Sequence, residues 1–124
     1  MATIRLVDLC GVRSGDKGDT SDLTLFCDDA AAYDAVLAVV TPEVVAAHLD
    51  PLVRGPIERY EARNVWAVKF VCHEALGGGA PRSLRADNLG KTLGARLLQL
   101  HVEVPDEVAA GARRRERAPL PERP

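Results

Sequence analysis

The segment from Arg13 to Thr20 holds the densest set of groups that could do chemistry. Its eight residues contain two cations, two carboxylates, two hydroxyls and two glycines. Glycine lets the backbone turn and expose its N–H groups, and Arg and Lys neutralise an anion that approaches them. The alternative is a solvated hairpin loop whose charges pair with one another, because Gly and Asp dominate ordinary turns. On the first interpretation, the candidate ligand-binding residues are Arg13, Ser14, Gly15, Asp16, Lys17 and Gly18.

A second polar segment runs from Gly77 to Thr92 and begins with three glycines. It leads into a predicted helix N-terminus, where unpaired N–H groups favour anions. The ending Gly90-Lys91-Thr92 is like that of a nucleotide-binding P-loop, but Arg85 occupies the position of the required earlier glycine. We expect the two segments to converge on one anion-receiving surface. The candidate residues of the second segment are Ser83, Arg85, Asp87 and Lys91.

Groups outside these segments give weaker signals. Cys10, Cys27 and Cys72 are widely separated and form no Cys-x-x-Cys motif, so we expect reduced, buried thiols. The spacing of His, Cys and carboxylates predicts no metal site, and no cofactor is expected. Lys69 alternates with apolar residues along a predicted strand, and we expect it to face solvent.

Apolar periodicity predicts the elements that must position these groups. The predicted strands are 3–12, 21–27, 56–63, 65–72 and 101–104, and the predicted helices are 30–40, 41–49 and 84 or 85 to 100. This order favours an α+β, ferredoxin-like fold, with a mostly antiparallel sheet and two main helices packed on one face. The residues expected to share its core are Trp66, Val68, Phe70, Leu93 and Leu97.

Composition limits the classes of function. The chain has 124 residues, 47% of them hydrophobic, which suits one domain. A formal net charge of −2 argues against a general nucleic-acid binder. No apolar segment is long enough to cross a membrane and no signal peptide is visible, so we expect a cytoplasmic protein. We predict a domain over residues 1–105 and an Arg/Pro-rich flexible tail over residues 106–124.

The two polar motifs, with Thr41-Pro42-Glu43 between them, resemble the AtuA-like ferredoxin-fold domain. This domain is the C-terminal part of acyclic terpene utilisation AtuA-family proteins and also occurs as a separate small protein. The resemblance covers about residues 3–105 and implies a setting in acyl-CoA or terpenoid-type catabolism or a related biosynthetic cluster. The resemblance assigns no roles, but by motif position it identifies the following residues as the ones that match the family's motifs: Arg13, Ser14, Asp16, Lys17, Asp19, Ser83, Arg85, Asp87 and Lys91.

Three functions remain open at this point. The chain is a partner subunit that joins a larger protein resembling the AtuA N-terminal domain and helps to bind an acyl-CoA-like anion. Alternatively, it is a self-contained hydratase or isomerase at a homo-oligomer interface, or a purely structural assembly domain. For the enzyme, Asp16 or Asp19 is the candidate general base, and Lys17 or Lys91 polarises a thioester carbonyl. We expect a homo- or hetero-oligomer, because one sheet face has no helices of its own to cover it.

Overall fold

The computed structural model describes residues 1–75 and 93–117, with side chains as far as Ala112. The strands are β1 (Ala2–Arg5), β2 (Cys10–Lys17), β3 (Thr20–Cys27), β4 (Ile57–Ala62), β5 (Ala67–Cys72) and β6 (His101–Val104). The helices are α1 (Ala30–Val39), α2 (Pro42–Leu49), α3, whose described part is residues 93–98, and α4 (Asp106–Arg117).

The strands form two antiparallel sheets. Four of them make a sheet in the order β2-β3-β5-β4, and β1 pairs with β6 in a separate two-stranded sheet. The expected first strand over 3–12 is therefore wrong as a single element, since the 3₁₀ turn Leu6–Asp8 interrupts it. The Asp8 carboxylate accepts a hydrogen bond from the Arg5 N–H at 3.1 Å, and the buried Leu9 anchors the chain behind the turn.

The inner face of the four-stranded sheet and the helices share one apolar core, which confirms the α+β, ferredoxin-like class. Four of the five residues expected there are fully buried: Val68, Phe70, Leu93 and Leu97. Trp66 is the exception, and its expected place in the core is wrong. It follows the 3₁₀ turn Arg63–Val65 with a φ of 53° and is 40% exposed. The strand begins only at Ala67, so the alternation that we extended back to Trp66 does not apply to it.

The two middle helices begin as their sequences predict. The Asp29 carboxylate caps α1 by accepting a hydrogen bond from the Ala32 N–H at 2.8 Å. The Thr41 hydroxyl caps α2 by accepting one from the Val44 N–H at 3.2 Å, and Pro42 occupies the first helical position. Among the described residues no single helix is long and apolar enough to span a membrane; only α1 and α2 taken together, bent by 75°, would reach that length.

The beginning of the expected flexible tail is a packed helix. Helix α4 contacts β1 and α1, and it buries Val108, Ala109 and Ala112 in the common core. The apolar stripe of α4 is narrow and mostly alanine, so the composition of this segment does not reveal an amphipathic helix. Flexibility is therefore the wrong expectation as far as Ala112, and residues 118–124 lie outside the described part. That residues 1–105 fold without α4 stays a prediction.

Candidate functional site

The first polar motif lies on a β-hairpin rather than in a loop. Residues 13–17 belong to β2, which pairs with β3 as far as Lys17 opposite Thr20. Only Gly18 and Asp19 form the turn, and Gly18 has a φ of +62°, which a residue without a Cβ adopts at little cost. The residues of β2 have low strand propensity. The buried apolar side chains that alternate along β3 set the register of β3, and β2 pairs with β3. The expected loop is therefore an ordered strand pair.

Strand alternation places the motif's side chains on two faces of the sheet. Ser14 lies opposite the buried Leu23, so Ser14 and Asp16 are on the inner face, beyond the edge of the core. Arg13 and Lys17 lie on the other face, called here the outer face. All four polar side chains are exposed. Within one subunit this separates Asp16, a candidate general base, from Lys17, a candidate for polarising a carbonyl.

Two cations, Arg13 and Lys17, extend from the outer face of the hairpin. Arg13 and Lys17 form no ion pair with any residue in the described part of the chain. The Asp22 carboxylate lies over Gly15 on the same face, where an added Cβ would be 3.1 Å from Asp22 Oδ1. Neither cation forms an ion pair with Asp16 or Asp19, so the charges of the motif do not pair with one another as the alternative requires.

The register adds three residues to the outer face that motif reasoning missed. Arg13 lies opposite Thr24, Thr24 opposite Lys69, and Lys69 opposite Tyr60. These four residues form one row across all four strands, called here the cationic row. Lys69 is exposed, as predicted, and makes no ion pair with a described residue. Alternation along 65–72 showed that Lys69 faces outward, but only the register aligns it with Arg13.

A hydrogen-bonded group lies beside the cationic row on the outer face. The Tyr60 hydroxyl donates to Glu58 Oε2 at 2.6 Å, and His73 Nε2 lies 2.5 Å from Glu58 Oε1. The hydrogen bond from Tyr60, followed by that from His73, lowers the pKa of the Glu58 carboxyl. The same contact with Glu58 raises the pKa of the Tyr60 hydroxyl. The group therefore holds an ionised carboxylate and orients Tyr60 at the end of the row.

The second polar motif lies outside the described residues, but both of its flanks are described. The chain reaches it from Ala75, whose N–H donates to the Asp19 carbonyl at 2.9 Å. The chain continues from it to Gly94, where an added Cβ would be 3.4 Å from Val12 Cγ1. Both flanks therefore contact the hairpin that carries the first motif. A surface shared with Ser83, Arg85, Asp87 and Lys91 stays a prediction.

The three cysteines are free and buried, as predicted. Cys10 lies directly opposite Cys27 in the β2–β3 pair. The hydrogen bond with Cys27, followed by burial, raises the pKa of the Cys10 thiol, and burial raises the pKa of Cys72 to about 11. Cys10 and Cys72 are thus protonated core groups at neutral pH. Over residues 1–75 and 93–112, no group of three or more His, Cys, Asp or Glu residues is arranged to hold a metal ion.

The fold and the charged sheet face define a small ferredoxin-like α+β domain with an exposed polar surface. The family model of the AtuA ferredoxin-like domain matches residues 4–103, and the chain belongs to that family. The match confirms the resemblance seen in the two motifs, covers both of them and ends before α4. No curated protein matches the chain, and no solved structure does.

Proposed function

We propose that the chain is a partner subunit of an AtuA-type system in acyl-CoA or terpenoid-type metabolism, and that it contributes an anion-binding surface. One observation carries this proposal. Arg13 and Lys17 extend from one face of the hairpin as exposed cations that pair with no described residue. Cations held on a paired strand next to glycine suit a phosphate or carboxylate group. The family resemblance supports the metabolic, cytoplasmic setting.

The position of the second motif's flanks supports a surface built from both motifs. Ala75 is bonded to the turn of the hairpin, and Gly94 lies against Val12 on the inner face of β2. Both ends of the glycine-rich segment are therefore at the hairpin. In this proposal, its backbone N–H groups and cations complete the site that Arg13 and Lys17 begin.

The proposed partner is a larger protein resembling the N-terminal domain of AtuA-family proteins. Exposed apolar side chains at the turn between β4 and β5 support a protein contact there, since Val65 is 54% and Trp66 40% exposed. The Trp66 carbonyl accepts a hydrogen bond from the Cys27 N–H at 2.8 Å, which fixes this turn to the sheet. Light scattering on the chain alone and with a candidate partner measures the association. A monomer at every concentration, with no complex formed, would contradict the partner role.

Two lysine substitutions test the anion surface. Lys17→Ala and Lys91→Ala should each weaken binding of a CoA ester by about tenfold, the loss expected from one charge-assisted hydrogen bond. Calorimetry measures the affinity, and thermal unfolding should be unchanged because Lys17 is exposed. Arg5→Ala is the matched control, since Arg5 is an exposed cation in the two-stranded sheet, outside both motifs. Unchanged binding in both lysine variants would refute a common anion site.

Activity assays separate the partner role from the self-contained enzyme. Crotonyl-type and geranyl-type CoA esters are incubated with the chain alone and with the candidate partner. The proposal expects turnover only when the partner is present. Turnover by the chain alone, lost in Asp16→Asn, would instead favour the hydratase or isomerase. Asp16 and Lys17 lie on opposite faces of one subunit, so a base–lysine pair in the enzyme would need Asp19, Lys91 or a second subunit.

A further inference from the structure

We infer that the outer face of the four-stranded sheet binds a mononucleotide-type ligand, with the phosphate on the cationic row and the planar base on Phe26. This inference rests on the proposed anion-binding function and names the class of ligand. It is carried by the alignment on one sheet face of an exposed aromatic ring with cations that form no ion pair with a described residue, an alignment that only the register reveals.

The cationic row provides the phosphate site. Neighbouring strands are about 4.8 Å apart, so the Cα atoms of Arg13 and Lys69 lie about 10 Å apart with Thr24 between them. Both long side chains are exposed and have no ion-pair partner among the described residues. They can therefore meet at an anion above Thr24, whose hydroxyl adds a third donor.

Phe26 provides the surface for a planar ring. It lies two residues from Thr24 along β3, about 7 Å away on the same face. Its cross-strand neighbours are Gly11 and Ala67, and these small residues leave the ring 38% exposed. An aromatic side chain on an open sheet face stacks against nucleobases. The distance between the two subsites is comparable with the ribose link of a nucleoside phosphate.

The acidic residues of this face determine the orientation of the bound ligand. Asp22 and Glu58 lie in the adjacent row on the side towards the hairpin turn, whereas Phe26 lies on the opposite side of the cationic row. Asp22 and Glu58 therefore repel a phosphate from that side of the row, which directs the rest of the molecule towards Phe26. The chain's net charge of −2 favours a small phosphorylated molecule over a nucleic-acid strand.

Calorimetry of the full chain at low salt tests the two subsites separately, with ADP, inorganic pyrophosphate and adenosine as probes. ADP should bind more tightly than pyrophosphate, and adenosine more weakly than ADP. Phe26→Leu should weaken ADP binding by about fivefold or more and leave pyrophosphate binding unchanged. Lys69→Gln should weaken the binding of both anions. Arg5→Gln, which changes an exposed cation on β1 in the two-stranded sheet, should alter neither.

Additional variants and probes make each outcome decisive. Phe26→Tyr keeps the ring and should keep ADP affinity, which separates stacking from a change in fold. If ADP and pyrophosphate bind equally and Phe26→Leu has no effect, the mononucleotide inference is overturned while the anion surface survives. If no anion binds, the inference and the proposed anion surface both fail. If a single-stranded oligonucleotide binds far more tightly than ADP, the face is a nucleic-acid surface and the inference is wrong.

Discussion

The Arg59→Met substitution should destabilise the protein although Arg59 lies on the edge strand β4. Arg59 is opposite the buried Phe70, so its side chain is on the inner face, and it is 21% exposed. Its Nη1 donates to the carbonyls of Leu37 and Val40, both at 3.0 Å. These carbonyls belong to the C-terminal end of α1, where the last C=O groups have no partner within the helix. Arg59 thus caps a helix from a neighbouring strand.

The expected loss can be worked out from these contacts. Hydrogen bonds to a charged group contribute about 1.5–3 kcal/mol, and a cation at a helix C-terminus adds about 0.3–1 kcal/mol. Because one nitrogen makes both bonds, we expect a total of about 2–4 kcal/mol rather than their full sum. Methionine keeps the apolar stem, so the loss is mainly polar. For a domain of this size the melting temperature should fall by about 8–16 °C.

Urea unfolding and thermal unfolding, both followed by circular dichroism, measure this loss. Arg54→Met is the matched control because Arg54 is exposed, and it should change stability by no more than about 0.5 kcal/mol. Arg59→Lys keeps the charge but not the guanidinium fork, and it should give an intermediate loss. If Arg59→Met unfolds like the control, the α1 carbonyls do not depend on Arg59 and the reasoning is refuted.

Three further predictions concern the core. Truncation after Pro105 removes Val108, whose burial alone corresponds to about 1.5–3 kcal/mol, so thermal unfolding should occur at a lower temperature; an unchanged transition would show that α4 adds no stability. Tyr33→Phe should raise the free energy of unfolding by about 1 kcal/mol in urea titrations, because the buried Tyr33 hydroxyl has no partner among the described residues; a decrease would reveal a partner. Burial raises the pKa of Cys72 from its ordinary value of 9.0 to about 11, so its contribution to stability should be complete below pH 9 and be lost as the pH rises towards 11. Urea titrations across this range should show a smaller decline in Cys72→Ala, and an equal decline would contradict the assignment.

Local features of the fold were predictable because a few neighbouring residues decide them. Thr41 and Pro42 define the start of α2 through one side-chain hydrogen bond and one missing N–H. The same alternation that buries Val68 and Phe70 turns Lys69 outward. Trp66 shows where local patterns fail, since a 3₁₀ turn just before it shifts the start of the strand from residue 65 to Ala67.

The elements that the local sequence predicted poorly are stabilised by contacts with residues far away in the chain. Residues 13–17 of β2 were interpreted as a loop because Gly15 and the charged residues around it have low strand propensity, yet β3 supplies a hydrogen-bonding edge that orders them. Helix α4 read as a tail because alanines form its stripe, yet β1 and α1 provide the apolar surface that makes their burial favourable. In both cases the stabilising partner is far away in the sequence.

The sequence by itself determined the α+β class, the family, the caps of the middle helices and the positions of the two polar motifs. Only the tertiary structure decided that residues 13–17 form a paired strand, which places Arg13 and Lys17 on one face and Asp16 on the other, and that Lys69 and Phe26 share the face of the two cations. The physical reason is register. Side-chain direction along a strand follows from the backbone alone, but the alignment of separate strands follows from the packing of the whole core.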